Sequence, residues 1–279
     1  MRLLLDACCA LDLLVKEGNT YANTPTVDMF LVPGAPGDLS GAIRYNRDVY
    51  DAWGKLTELI RTGKPVERPE VHLGDDEART KTFVLSMHGR ALGIGRAVVP
   101  QLELAGRRKL FDVGGGPGTY SVLIAQANPE IDCTVLDLPD VVKVADELIA
   151  EAGMQDRVHT TGGDYHTDVF PRDMDVVNFF GVLHQESPEA ILDLFKRAYD
   201  ALVPGGLIHV LDMMTDASHT QPQFSALFAV NMALTTKNGW VFSDDELEGW
   251  LNEAGFVDFS CGALPQPMPH WLASACKPN

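Results

Sequence analysis

From Lys109 onward, short apolar runs ending in Gly or Asp alternate with amphipathic stretches, and that alternation predicts an α/β fold with a parallel sheet and crossover helices. The strand candidates are KLFDV, CTVLDL, VHTTGG, MDVVNFF and GLIHVLD, each separated by a helix or a loop long enough to cross over. A last pair, VDFSCGAL and WLASACK, is separated by a segment carrying Pro265, Pro267 and Pro269. With no helix between them, these two should form an antiparallel hairpin at the edge of the sheet. Five crossover strands closed by a hairpin is a different architecture from an all-parallel dinucleotide domain.

The first stretch puts Leu3, Leu4, Ala7, Leu11 and Leu14 at helical spacing, then turns at Gly18 and Asn19 into a short polar strand. It reads as the second half of a winged helix, and because nothing precedes it the helices that would complete that core are expected to be missing. Residues 26–100 read as helices broken at Pro33 to Gly37 and at Pro65 to Pro69, with Trp53, Leu56, Leu59 and Ile60 along one face. The last helix, about Asp75 to Leu102, carries Phe83, Met87, Ala91 and Ile94 on one stripe. The expected division is therefore a helical domain with a partial winged helix over 1–100 and a cofactor-binding catalytic domain over 101–279.

Composition narrows the partners. The 279 residues are 46% hydrophobic, enough for a full core, and the 39 acidic against 22 basic residues give a formal charge of −17. Without a basic patch, such a charge repels a phosphate backbone, so no nucleic-acid partner is expected. The five cysteines show no CxxC pair and no zinc spacing, which favours free thiols in a reducing compartment, with Cys8 and Cys9 read as small buried side chains. No apolar run approaches the roughly 20 residues that span a bilayer, and the N-terminus has no cleavage signature. A cytoplasmic location without membrane attachment is the expectation.

The chemistry sits at the strand ends, where a doubly wound sheet binds its ligands. Asp112 to Gly118 reads DVGGGPG after the first core strand, and Gly114, Gly116 and Gly118 let the backbone approach a cofactor. A tight strand-to-helix connection would need such glycines too. Asp137, followed by Leu138, ends the second strand 25 positions after Asp112, where a carboxylate can accept both hydroxyls of a ribose. Asp140 is better placed than Asp137 to cap the next helix. After the third strand, Asp164 can accept the exocyclic amine of adenine and Tyr165 can pack on its face. A nicotinamide cofactor is the weaker reading, since the sixth position counted from Gly114 is Thr119 rather than Gly.

The runs LFDVGGGPGTYS, VLDLP, GGDYHTDVFP, NFFGVLHQESPEAIL and ALVPGGLIHVLD together resemble the plant caffeic-acid type and the bacterial polyketide or hydroxyneurosporene type O-methyltransferases, over roughly the whole chain. The resemblance implies S-adenosylmethionine as methyl donor and a Rossmann-like class I methyltransferase core. It also implies an N-terminal helical domain that makes an intertwined homodimer, although members of the family typically start several helices earlier.

Methyl transfer to a hydroxyl needs alignment and removal of a proton. His184, after the fourth strand, stands at the position that holds the general base in the family; the weaker alternative is that it caps the following helix, where Ser187 and Glu189 look like a helix start. The family commonly has Asp after this His, where this chain has Gln185. Of two flanking acids in the plant enzymes, Asp212 can stand for one, and the other would fall near Val241, where there is no carboxylate. The acceptor pocket is expected to draw on Met213, Phe224, Phe228, Met232 and Trp240 after the fifth strand and on Phe83 and Met87 before the glycine turn. The same residues would also serve as plain core. Arg90 could meet the donor's carboxylate or a substrate anion, or form a surface salt bridge, while His88 and His166 have no evident partner. No carboxylate cluster suggests a metal. The leading expectation is a metal-independent O-methyltransferase with a small apolar or aromatic acceptor. S-methylation of a small thiol and a non-catalytic, cofactor-binding regulator are the alternatives.

Overall fold

The computed structural model describes residues 1–35, 38, 49–67, 76–265 and 268–279, so Gly37, Pro69, Asp75 and Pro267 lie outside the described residues. The chain divides into two compact units, 1–48 and 49–279, whereas the division expected from the sequence falls after residue 100. In the first unit, α1 (Arg2–Ala10) leads into an antiparallel hairpin of β1 (Leu14–Glu17) and β2 (Thr20–Asn23), followed by α2 (Pro25–Phe30), whose N-terminus Thr24 caps. Leu14 opens the strand instead of continuing the helix, because the chain leaves helical geometry at Leu11 and Asp12 takes a positive φ. Leu3, Leu4 and Leu11 are exposed, and Cys8 and Cys9 are only half-buried, short of the expected burial.

The second unit opens with α3 (Tyr50–Gly54) and α4 (Leu56–Thr62), parted at Lys55. That break turns Ile60 out to solvent, while Trp53, Leu56 and Leu59 stay partly covered. The long α5 (Glu77–Val98) is capped by Asp76, whose carboxylate accepts from Arg79 N, and a 3-10 turn (Val99–Gln101) finishes the stretch expected as helix.

The sheet follows, with β3 (Lys109–Val113), α6 (Thr119–Ala127), β4 (Asp132–Asp137), α7 (Pro139–Glu151), β5 (Val158–Gly162), β6 (Met174–Phe180), α8 (Pro188–Ala201) and β7 (Leu202–Asp212). Then come α9 (Gln223–Thr235), α10 (Asp244–Glu253), β8 (Val257–Ala263) and β9 (Trp271–Cys276). The seven strands lie in the order β5-β4-β3-β6-β7-β9-β8, parallel from β5 to β7 and antiparallel at β9 and β8. This is the predicted Rossmann-like methyltransferase core with its terminal hairpin. Strands covered on both faces read as continuous apolar runs, as FDV and VVNFF do.

Alternate residues divide between two cores. Phe111, Val113, Val177, Phe179, Ile208 and Val210 pack with Leu194 and Phe195 of α8 and Leu247 and Leu251 of α10. Leu110, Val135, Val176, Phe180 and Leu211 pack with Ile124 and Ala125 of α6 and with Val98. On this second face a buried polar band crosses the sheet in register, from Asp112 to Asn178 to His209. His209 Nδ1 lies 3.2 Å from Asn178 Oδ1, and burial pushes its imidazole down to about 4.

Phe195 is fully buried and meets Phe179 edge-on at 5.6 Å. Replacing Phe195 by Ala is expected to remove about 3–5 kcal/mol of stability. Chemical denaturation should show a lower midpoint at unchanged slope.

Candidate active site

The glycine turn after β3 is shaped by what lies against it. Gly114 has φ of +63°, and a Cβ there would come within 2.8 Å of Val182. At Gly115 a Cβ would meet Asp112 Oδ2 at 2.7 Å and Val135 at 2.9 Å. The turn is tied to the neighbouring strand, with Gly114 N donating to Leu136 O at 2.8 Å and Gly116 N to Asp137 Oδ2 at 2.7 Å. Asp112 stands buried beneath the turn. Its Oδ2 accepts from Ser121 Oγ at 2.6 Å, its Oδ1 has no hydrogen-bond partner among the described residues, and burial pushes its carboxyl up to about 7.

Asp137 also accepts from Leu138 N, at 2.8 Å on Oδ1. A carboxylate has about four lone-pair sites, so each oxygen keeps capacity for a ribose hydroxyl. Burial pushes the Asp137 carboxyl up to about 6, opposed by the two backbone donors. Leu138 is itself the N-cap residue of α7, and Asp140 pairs with Lys143 at 2.6 Å, so the cap expected at Asp140 is not formed.

The segment after β5 folds into a turn around Asp164, whose Oδ1 accepts from His166 N and whose carbonyl accepts from Thr167 N and Asp168 N. Arg197 of α8 holds this turn from below through the carbonyls of Tyr165, His166 and Asp168. The Tyr165 ring reaches the glycine turn, 3.5 Å from where a Gly114 Cβ would stand. Its hydroxyl donates to Glu186 Oε1 at 2.6 Å and accepts from Gln185 Nε2 at 3.2 Å.

His184 sits in a 3-10 turn (Leu183–Gln185) after β6, beside the end of β7. Its Nδ1 lies 2.7 Å from Asp212 Oδ1, and its backbone N donates to Asp212 Oδ2 at 3.2 Å. The expected base and acid are thus brought together. Helix capping falls to Ser187, which accepts from Ala190 N at 3.3 Å. With the Nδ1 proton directed at the carboxylate, Nε2 is left as the proton acceptor. Phe228 of α9 meets the imidazole edge-on at 5.1 Å. Trp240 braces the loop from the same side, with its N donating to His184 O at 2.9 Å and its Nε1 to Glu186 O at 2.7 Å.

The other predicted lining residues scatter. Met213 and Met232 are buried and Met87 is half-buried, but Phe224, one turn before Phe228, is 56% exposed. Phe83 packs against Val84, Val141 and Val144, on the α7 side of the fold. Residues 49–67 reach α9, where Trp53 Nε1 donates to Asn231 Oδ1 at 2.9 Å and Val66 N to Leu234 O at 3.0 Å. Arg90 of α5 is half-buried and makes no salt bridge among the described residues; Tyr120 and His270 feel its charge.

Three histidines and one acid escape sequence reasoning. His88 Nδ1 lies 2.8 Å from Thr119 Oγ1 at the start of α6, and His166 Nε2 lies 3.4 Å from Glu186. His270 precedes β9, whose Trp271 pairs with Asp212; it is buried, its Nδ1 has no partner among the described residues, and burial pushes its imidazole down to about 4. Glu186 is the second buried acid near His184, supplied by the base's own loop and not by the region of Val241. Its partner Tyr165 lies 21 positions earlier, so spacing carries no sign of it.

Residues 62–257 match the family described as the O-methyltransferase domain, and the chain belongs to that family. It is 31% identical over 279 residues to a 3-hydroxy-5-methyl-1-naphthoate 3-O-methyltransferase of Streptomyces sahachiroi, covering 99% of this chain and 81% of the relative. It is 32% identical to the tetracenomycin polyketide synthesis 8-O-methyl transferase of Streptomyces glaucescens, over 99% of this chain and 82% of the relative. Human N-acetylserotonin methyltransferase, solved in complex with S-adenosylmethionine, superposes with a TM-score of 0.88 at 25% identity, over 100% of this chain and 83% of that one. The chain is an S-adenosylmethionine-dependent methyltransferase. The site fits that donor: the turn has no room for a Cβ at Gly114 or Gly115 but leaves open space at Gly116, and the Asp137 oxygens keep free lone pairs beside it.

An ionised Asp137 carboxylate accepts from a hydroxyl more strongly than the neutral acid does. Donor affinity is therefore expected to be full at about pH 8 and to weaken as pH falls through about 6. Calorimetric titration of the donor checks this, and Asp137→Asn should weaken binding and flatten the pH dependence.

Proposed function

We propose that this enzyme methylates a phenolic or enolic hydroxyl of a small aromatic molecule, with His184 as general base and Asp212 as the acid that orients it. The 2.7 Å contact between His184 Nδ1 and Asp212 Oδ1, beside the Phe228 ring, carries this reading. The aromatic class is supported by the naphthoate and polyketide acceptors named for the two bacterial relatives.

Asp137 would hold the ribose, Asp164 the adenine amine, Tyr165 the adenine face, and Arg90 the carboxylate of the donor, with Gly114, Gly116 and Leu138 supplying close backbone and Asp112 supporting the turn. When bound, S-adenosylmethionine supplies a methyl group on a sulfonium, which becomes a neutral thioether as the acceptor oxygen takes the methyl. The chain's own part is to place the acceptor and remove its proton. His184 Nε2 takes the hydroxyl proton, Asp212 steadies the resulting imidazolium, and Phe228, Trp240, Met213, Met232 and Met87 wall the acceptor from water. Both proton-handling groups come from the chain, so the proposed reaction needs no metal. Among the described residues no three His, Cys, Asp or Glu side chains cluster as a metal site.

The same reading extends to assembly. The helix α1 with the β1–β2 hairpin fits the second half of a winged helix, and the first hundred residues are proposed to make a homodimer. Exposed Leu3, Leu4 and Leu11 are apolar surface of the kind a second copy covers. The five free cysteines suit a cytoplasmic location, and among the described residues no helix is long and apolar enough to cross a membrane.

His184→Ala is expected to lower turnover by about 10²–10⁴-fold at unchanged donor affinity. Asp212→Asn should cost a similar factor, because the imidazole loses its preferred tautomer. A panel of phenols, enols and thiols with labelled donor should give product from the hydroxyl acceptors, and a chelator should leave the rate unchanged. Full turnover in the His184→Ala protein would sink the base assignment.

A further inference from the structure

Glu186 is a charged side chain in a place that asks for a reason. It is 4% exposed, and burying a carboxylate costs several kcal/mol unless its partners offset the loss of water. Those partners span two segments far apart in the chain. Oε1 accepts from Tyr165 OH at 2.6 Å and lies 3.4 Å from His166 Nε2, both on the turn after β5. The backbone belongs to the base's loop: Glu186 N donates to Leu183 O at 3.0 Å, and Glu186 O accepts from Trp240 Nε1. Gln185, also of that loop, adds a bond to the Tyr165 hydroxyl.

The result is a fastening between two walls of the site. On one wall, Tyr165 lies against the Gly114 turn and its backbone is fixed by Arg197. On the other, two positions from Glu186, His184 is held by Asp212. The charged and titratable groups facing Glu186 are Tyr165, His166 and Asp164 from the turn after β5 and His184 from its own loop. Burial pushes the Glu186 carboxyl up, while the Tyr165 hydroxyl and the imidazole of His166 favour its ionised form. The Tyr165 hydroxyl is in turn pushed up by burial and by Glu186, which keeps it a protonated donor.

We infer that Glu186 is a positioning residue for methyl transfer, a carboxylate that fastens the donor-side Tyr165 to the loop carrying His184. Filling the donor pocket and placing the base then depend on one another. This rests on the assignment of Tyr165 to the donor and of His184 to the acceptor proton.

A double-mutant cycle on donor affinity, read by calorimetry without acceptor, tests it. Tyr165→Phe and Glu186→Leu should each weaken donor binding roughly fivefold to tenfold, and the double variant should bind no worse than the weaker single. Glu186→Gln, which keeps an oxygen for the Tyr165 hydroxyl, should recover most of the affinity. In turnover, Glu186→Leu should lower kcat more than it raises the acceptor KM. Additive losses in the cycle, or an unchanged donor Kd in Glu186→Leu, overturn the inference. If Glu186→Leu does not fold, Tyr165→Phe decides alone, and an unchanged donor Kd in that variant overturns the inference. Asp137→Asn and His184→Ala keep the two levels apart. If those variants lose donor binding and turnover while the cycle is additive, only the role of Glu186 fails.

Discussion

Asp212 accepts from three donors at once, His184 Nδ1 and the backbone amides of His184 and Met213, while lying buried at the end of β7. A carboxylate without water is tolerable only when its lone pairs are filled by such charge-stabilising bonds. Those bonds join the end of β7 to the loop after β6, and because the two strands are parallel neighbours the join needs no detour of the chain. The orientation of the imidazole, the path of the 182–187 loop and the approach of Trp240 all follow from where that carboxylate sits.

A second constraint operates on the other side of the sheet centre. The turn after β3 has to pass over Asp112 and beside Val182, which leaves no room for side chains at Gly114 and Gly115. The Gly116 amide satisfies Asp137, so the ends of β3 and β4 are locked as firmly as those of β6 and β7. The two locked ends frame the space between them. Tyr165 and Glu186 close it at one border, and Phe228 borders the imidazole. The glycine-turn side of that space is thus built mainly from backbone and carboxylates, the His184 side from aromatic side chains of distant segments.

That difference explains what could be read from the sequence. The strands, the hairpin, the glycine turn, Asp137 and the His184 and Asp212 positions were legible because each lies at a strand end, and strand ends announce themselves locally through Gly and Asp after apolar runs. Pocket-lining residues have no such marker. Phe83 and Phe228 look alike in a stripe of large apolar residues, yet one packs on α7 and the other touches the imidazole. Glu186 carries no mark in the sequence, because its partner Tyr165 comes from a segment 21 positions earlier. His270 carries none either, since its place near Asp212 comes from the pairing of Trp271 in β9. Leu14 and Ile60 were misplaced for a related reason: apolar spacing does not reveal where a helix ends and a strand or a second helix begins.

The order in which the strands join the sheet differs from the order in which they are made. The final strand, β9, is interior, wedged between β7 and β8, with Lys277 beyond it donating to the carbonyls of Tyr199 and Leu202. During synthesis, β7 waits with one edge unpaired until residues 271–276 emerge, and β8 has no neighbour until then. The sheet beside Asp212 is therefore complete only once β9 has been made. Loss of residues 271–276 would open the sheet from within, so β9 acts, in effect, as its keystone.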